Sequence, residues 1–381
     1  MVANLFIPQK LVGRQVELQK ISQILSNDGD LLLAGVPGSG RRTLLRAAVQ
    51  TVGARMLEID CLRATDSHRF LQLLAESLLH TFPDASELAL IQRWTTDQPI
   101  VLEHPPESRA HFIWSPSTTD PWLLFQRLLD LPQFLAETLS CRIVIVFQNF
   151  PHIRSWDRSE KWQSYLRREI QRQSRVSYAL IATVAESWVE HSNMQPVILG
   201  PLQDQDLSLW LIDAMARSGL KFAPGTQALE LFLSYVQGHM GNAISLARRL
   251  WSTYWTTEAG DEALSLVKPT RINLSTPTPA LIYPHHVYRS ALALVEDLAL
   301  TFESLILLLP PSQVRVLESL ALDPTASPHS REYIQKHQLS RGGGLQGALA
   351  SLEQKGLVYG SEYGYQITMP LLSFWLKHRL T

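Results

Sequence analysis

The chain has 381 residues, 45% of them hydrophobic, and a formal net charge of -1. That length allows two or three domains with sizeable cores. The balanced charge excludes a global field drawing the protein to nucleic acid or anionic membrane, so any basic site must be local. Cys61 and Cys141 are the two cysteines, far apart and without metal-ligand spacing. They point to a reducing compartment and away from a structural metal. Residues 1–10 lack an apolar run behind a basic start, so a signal peptide is not expected. The most apolar stretch, 291–309, carries Glu296, Asp297 and Glu303 and reads as a buried helix, not a membrane span. A cytoplasmic protein without membrane contact is the expectation.

Taken in chain order, residues 16–25 carry a helical apolar stripe that stops at Asn27-Asp28-Gly29. Residues 30–34 read as a short buried strand, and a glycine loop and a helix from Arg42 follow. Residues 56–60 read as a second strand and 68–79 as a helix. This alternation predicts a parallel α/β sheet. Five prolines between 97 and 121 mark an insertion, with a small hairpin expected at 100–102 and 111–114. Residues 123–139 read as helix, 143–146 and 176–183 as buried strands, and 197–199 as a last extended segment. From 204 to 255 the pattern is helical throughout. Prolines at 269, 277, 279 and 284 mark a linker. Beyond it, helices at 287–308 and 312–322, a helix-turn-helix at 331–338 and 345–355, and a hairpin at 357–359 and 364–368 describe a winged helix.

The loop Gly35-Val-Pro-Gly-Ser-Gly-Arg-Arg-Thr43 has the glycine frame of a P-loop, GxxxxGK[ST]. Gly35, Gly38 and Gly40 let backbone N–H groups converge on an anion at a helix N-terminus. The lysine position holds Arg41 and the hydroxyl position Arg42, which cannot ligate a cation. A one-residue slip would make Arg42-Thr43 the functional pair, at the cost of a longer loop. The plain alternative is a Gly/Pro turn before a helix, but strand, loop and helix occur in the order the motif requires. The strand 143–147 should end in two carboxylates that hold the metal's water shell and orient the attacking water. It ends in Gln148 and Asn149, which cannot act as bases, and no acid occurs between Glu137 and Asp157.

These segments, in this order, resemble a P-loop ATPase of the AAA+/STAND superfamily of the archaeal-ATPase type with a C-terminal winged helix. Leu11-Val-Gly-Arg14 with Glu17-Leu18 is similar to the family's N-terminal segment, which implies that Arg14 sits near an adenine. The resemblance also implies a sensor-like role for Thr183, a helical lid from about residue 200, and a lid turn at Gly238-His239 and Gly241-Asn242, without an evident sensor arginine. The fold class expected is an α/β parallel-sheet P-loop NTPase core, then an all-α lid and a winged-helix domain. The boundaries expected are 1–200, with the insertion at 97–121, then 201–267, a linker at 268–285, and 286–381. Joint replacement at Arg41, Arg42, Gln148 and Asn149 argues for a pseudo-ATPase, with no metal ligand and no required cofactor. Metal-free ATP or ADP stays open as a ligand.

Seven basic residues lie between 154 and 175, among them Arg167, Arg168, Arg172 and Arg175, with Asp157, Glu160 and Glu169 as the acids. They read either as a nucleic-acid or subunit contact or as a solvated helix face. Trp156 and Trp162 read as packing residues. The recognition-helix region offers only Arg341, Lys355 and Gln346 for DNA, so protein docking competes with DNA binding. Three functions follow: a non-hydrolysing scaffold or regulatory subunit of an active relative, a second copy or another partner; a winged-helix DNA regulator; and an atypical ATPase.

Overall fold

The computed structural model describes residues 6–105, 109–114, 120–170, 174–185, 189, 192–264, 280–325, 327–340 and 342–380; of 256–264 only the backbone is described. The chain divides into two compact bodies. One comprises Gln15–Gly35 and Arg41–Leu199, the other Met1–Arg14, Val36–Gly40 and Gly200–Thr381.

The first body is the α/β body. Its elements run α1 (Gln15–Ser26), β1 (Leu31–Gly35), α2 (Arg41–Thr51), β2 (Arg55–Asp60), α3 (Ser67–Thr81), α4 (Ala85–Thr95), β3 (Val101–Glu103), β4 (His111–Ile113), α5 (Pro121–Thr138), β5 (Ile143–Gln148), α6 (Lys161–Glu169), β6 (Val176–Ala182) and β7 (Gln195–Leu199). Five strands form one parallel sheet in the order β2-β5-β6-β1-β7. β1 and β6 are buried along their whole length, and β5 except at its last residue, as expected of a parallel sheet covered on both faces. β2 and β7 are the exceptions, because they lie at the two edges, and on β2 the burial alternates. Leu57 and Ile59 face inward, and Glu58 and Asp60 alternate with them. Helix α3 seals the β2 edge: Ser77 Oγ accepts the Glu58 N–H at 2.9 Å, and Thr81 Oγ1 donates to the Met56 carbonyl at 3.2 Å. The inserted hairpin pairs β3 with β4, Leu102 opposite Phe112.

The second body holds α7 (Asp204–Arg217), β8 (Leu220–Phe222), α8 (Ala228–Val236), α9 (Met240–Leu264), β9 (Ala280–Ile282), α10 (Pro284–Leu307), α11 (Pro311–Leu322), α12 (Arg331–Lys336), α13 (Gly343–Gln354) and α14 (Pro370–Leu380). Leu211, Phe232, Leu246, Val287 and Ala291 belong to one core, and Val295, Phe302, Leu317, Leu352 and Leu372 to another. Helix α10 therefore serves both cores, with its first turns in one and its later turns in the other.

Two expectations need correction. The stretch 204–255 is not helical throughout, because β8 interrupts it and pairs in parallel with β9, some 60 residues away in sequence. A three-residue strand carries too short a pattern to stand out among helices. The hairpin after α13 is also shorter than expected. It is a single bridge, Val358 to Ile367, flanked by hydrogen bonds from Tyr359 N to Gln366 O and from Thr368 N to Leu357 O. A 3-10 turn at Ser361–Tyr363 takes up the chain between the two sides. Of the stretch 268–285, residues 268–279 lie outside the described residues, Ala280–Ile282 form β9, and α10 starts at Pro284.

Candidate functional site

β1 ends at Gly35, and Val36–Gly40 lead directly into α2. Gly38 and Gly40 have φ of +85° and +87°, a region that glycine enters without strain. A Cβ at Gly40 would meet nothing within 4 Å, whereas one at Gly38 would fall 2.5 Å from His239 Cε1. Gly40 is thus required by its backbone, and Gly38 by lack of room as well. The turn before α9 holds the carbonyls of this loop. His239 Nε2 lies 2.9 Å from the Pro37 oxygen, and the Gly241 N–H donates to the Gly38 oxygen at 3.2 Å. His239 Nδ1 accepts the Asn242 N–H at 3.0 Å, so the ring proton belongs on Nε2. Burial pushes the His239 pKa below its ordinary value and keeps this neutral tautomer.

The two arginines that open α2 are both engaged. Arg41 Nη1 donates to the Ala182 carbonyl, the last of β6, at 2.7 Å, and burial lowers its pKa from the usual guanidinium value. Arg42 makes a bidentate bond to Glu58, with Nε to Oε1 at 2.6 Å and Nη2 to Oε2 at 2.5 Å. Arg46, one turn later, adds Nη2 to Oε2 at 2.8 Å. Gln148 donates its side-chain N–H to Glu58 Oε1 from the end of β5. A carboxylate can only accept, so the amide nitrogen must face it. Asn149 sits at φ +52°, which asparagine tolerates, and its Nδ2 donates to Asp60 Oδ1 at 3.0 Å. The parallel register explains the meeting, since Asp60 pairs with Gln148 and Glu58 with Val146. Burial alone would raise the Glu58 carboxyl, but the hydrogen bonds and charges of Arg42 and Arg46 outweigh it and leave it below the usual range. Arg42, Arg46 and Arg63 also line a cavity of about 600 Å³ with Glu58, Asp60 and Glu76.

The chemistry of this cluster is set by its signs. A metal-dependent P-loop joins a hydroxyl on the helix to a carboxylate on the strand across a divalent cation. Here a guanidinium on α2 and an amide on β5 meet across a carboxylate of β2. Both Glu58 oxygens are already bonded, and two arginines beside them repel a second cation. The residues present therefore do not fit Mg²⁺. Arg41 and Arg42 stand in the first turn of α2, the end of a helix where its dipole favours negative charge. Among the described residues, no group of three or more His, Cys, Asp or Glu side chains could hold a metal ion.

Thr43 is exposed in the first turn of α2, and Thr183 is half-buried just beyond β6. Arg14, at φ +61°, donates to the Gly200 carbonyl. Arg167 is half-buried on α6, while Arg168 and Arg175 are exposed. Arg172 and Arg341 lie outside the described residues. The basic stretch is not one helix: a 3-10 segment, Phe150–Ser155, precedes α6. Trp156 and Trp162 pack around Phe70 and Phe125, as expected. On α13, Gln346 is exposed beside Gly343, Gly344 and Gly347.

Sequence reasoning missed Glu58, Arg46 and the part His239 plays at the loop. The available signal was the alternation of Glu58 and Asp60 with Leu57 and Ile59, which puts both carboxylates on one face of β2.

With this geometry in hand, comparison with known proteins gives a consistent result. Residues 10–181 match the AAA ATPase domain family, and residues 300–378 match a probable winged helix domain. A search of curated protein sequences finds no match. Among solved structures, the fold is similar to the Walker-type ATPase PABY2304 of Pyrococcus abyssi, with a TM-score of 0.62 at 16% identity, covering 98% of this chain and 99% of that one. It is also similar to the ORC2 protein of Aeropyrum pernix in its ADP form, with a TM-score of 0.50 at 15% identity, covering 99% and 98%. No helix among the described residues is long and apolar enough to cross a membrane.

Proposed function

We propose that this chain, an AAA ATPase domain followed by a winged helix domain, is a non-hydrolysing scaffold or regulatory subunit that works through a protein partner. An active relative of the same fold, or a second copy of the chain, is the partner class this reading favours. Nucleotide, where it binds, is held without Mg²⁺ and stabilises the protein rather than fuelling it. One observation carries this: Glu58 is closed by Arg42, Arg46 and Gln148 where a metal-dependent site would keep a carboxylate open. Phosphoryl transfer depends on metal-assisted charge neutralisation and on a positioned water, and Glu58, so bonded, is open to neither. ADP is the first nucleotide to try, because the similar Aeropyrum pernix protein was solved in its ADP form. Calorimetry with ADP and ATP, with and without Mg²⁺, beside a hydrolysis assay, tests the reading. Mg²⁺-dependent turnover that disappears in Gly40→Asp would overturn it.

DNA binding through the winged helix is the second reading. Winged helices serve in nucleic-acid recognition, but α13 presents glycine, alanine, Gln346 and Gln354 outward, with no charged residue among them. Such a face has little to offer base edges or phosphates and suits protein docking better. The atypical-ATPase reading gains Glu58 and Asp60 as carboxylates, yet the bonds that hold Glu58 speak against its use as a base.

A further inference from the structure

Between residues 154 and 175 the described cations Arg154, Arg158, Lys161, Arg168 and Arg175 are exposed, but the acids are not evenly placed. Asp157 is only 3% exposed, because it turns inward to accept the Gln163 N–H at 3.0 Å and the Gln163 side-chain amide at 3.3 Å. Glu169 is 8% exposed. Glu160 is the one exposed acid among the described residues of this span. Among the described residues of this span, the exposed cations therefore outnumber the exposed acids five to one.

Aromatic rings are interleaved with these cations. Lys161 Nζ lies 4.3 Å over the Trp122 ring and the Arg168 guanidinium 5.7 Å from the Tyr165 ring. Trp122 and Tyr165 meet edge to face at 4.9 Å, both half-buried, and Trp162 and Phe125 support them from below. Asp120, at the start of α5, is an exposed acid that accepts the Trp122 N–H at 3.0 Å, so the charge of this face lies on the α6 side.

We propose that the face formed by the first turn of α5 and by α6 binds single-stranded nucleic acid, with phosphates on Arg158, Lys161 and Arg168 and bases on Trp122 and Tyr165. Cations set among partly exposed rings are the two components such binding needs: charge tracks the backbone and rings stack the bases. The present cation–π contacts are compatible with it. A stacked base gains more from a ring than an exposed cation loses, and the displaced Lys161 and Arg168 are then placed to meet phosphates. Duplex fits less well, because its bases are not free to stack. The site is remote from the glycine loop in sequence.

The test is fluorescence anisotropy of a labelled oligothymidylate of about 12 nucleotides, a length within known single-strand site sizes, titrated with the full chain at several salt concentrations. Trp122→Ala should weaken binding about tenfold, with Trp122→Phe retaining most of the affinity. Replacing Arg158, Lys161 and Arg168 together by alanine should reduce the salt slope by about two units. These three are surface positions, so the triple variant stays folded, and its melting curve checks this. Absence of binding at low salt would overturn the proposal, as would equal binding of duplex with no effect of Trp122→Ala. Equally tight binding of polyglutamate, lost in the same variants, would also overturn it and assign the face to an acidic protein partner. None of these outcomes bears on the nucleotide reading, since every variant leaves residues 35–43 intact.

Discussion

Two arginine-rich regions of the α/β body look alike in sequence and differ in what they do with their charge. At α2, Arg42 and Arg46 converge on Glu58, and Arg41 is spent on a backbone carbonyl. At α6, two of the three acids in the same stretch are buried, while Arg158, Lys161 and Arg168 are exposed. The first region meets its own counter-charge, and in the second the exposed cations outnumber the exposed acids. A count of arginines and acids misses this, because what decides it is whether each acid points at the cations or into the core.

Asp30 sharpens the comparison most, because it is a buried carboxylate met by the Tyr178 N–H rather than by a guanidinium. Burial raises its pKa to about 7. Since the folded value lies above the unfolded one, its contribution is fully present below about pH 4 and is lost as pH rises through 7. Asp30→Asn should therefore stabilise the protein by about 3 kcal/mol at pH 8 and by almost nothing near pH 4, read from denaturant midpoints at both pH values.

Gln148→Glu attacks the closed cluster directly. It puts a second carboxylate against Glu58, and the expected loss is about 2 kcal/mol at pH 8, recovering toward pH 4 as one of the two takes up a proton. Thermal melts at the two pH values would show it, and equal losses at both would contradict the account. Arg42→Ala removes one of two cations from an ion pair that is partly exposed, so about 1 kcal/mol is expected. Stability at pH 7 should suffer more than stability at pH 4, since the Glu58 carboxyl, held below its usual range, loses its contribution as pH falls through its folded value. The smallest effect belongs to the open region. Alanine at Arg158, Lys161 and Arg168 together should change stability by no more than about 0.5 kcal/mol.

Much of this was legible in the sequence. Apolar runs gave away the buried strands, and the prolines of the insertion framed the short segments that pair as β3 and β4. The glycines of the loop marked the strand-to-helix turn, because few other residues take φ near +85°. Pairings between distant segments were not legible. Nothing local connects Leu220–Phe222 with Ala280–Ile282, or Arg42 with Glu58, and only the register of β2 on β5 brings Gln148 within reach of that carboxylate. The amides at 148 and 149 could be read as losses, but not as donors to acids on the next strand. His239 was visible as part of a lid turn, yet its grip on Pro37 depends on tertiary placement alone.

The central claim is that the α2–β2–β5 cluster replaces a metal by an internal ion pair, and calorimetric titration of ADP with and without Mg²⁺ tests it most directly. The account predicts the same affinity in both conditions, and loss of most of it in Gly40→Asp. Binding that strengthens by about tenfold or more on adding Mg²⁺ would mean that the cation finds ligands after all, and would contradict it.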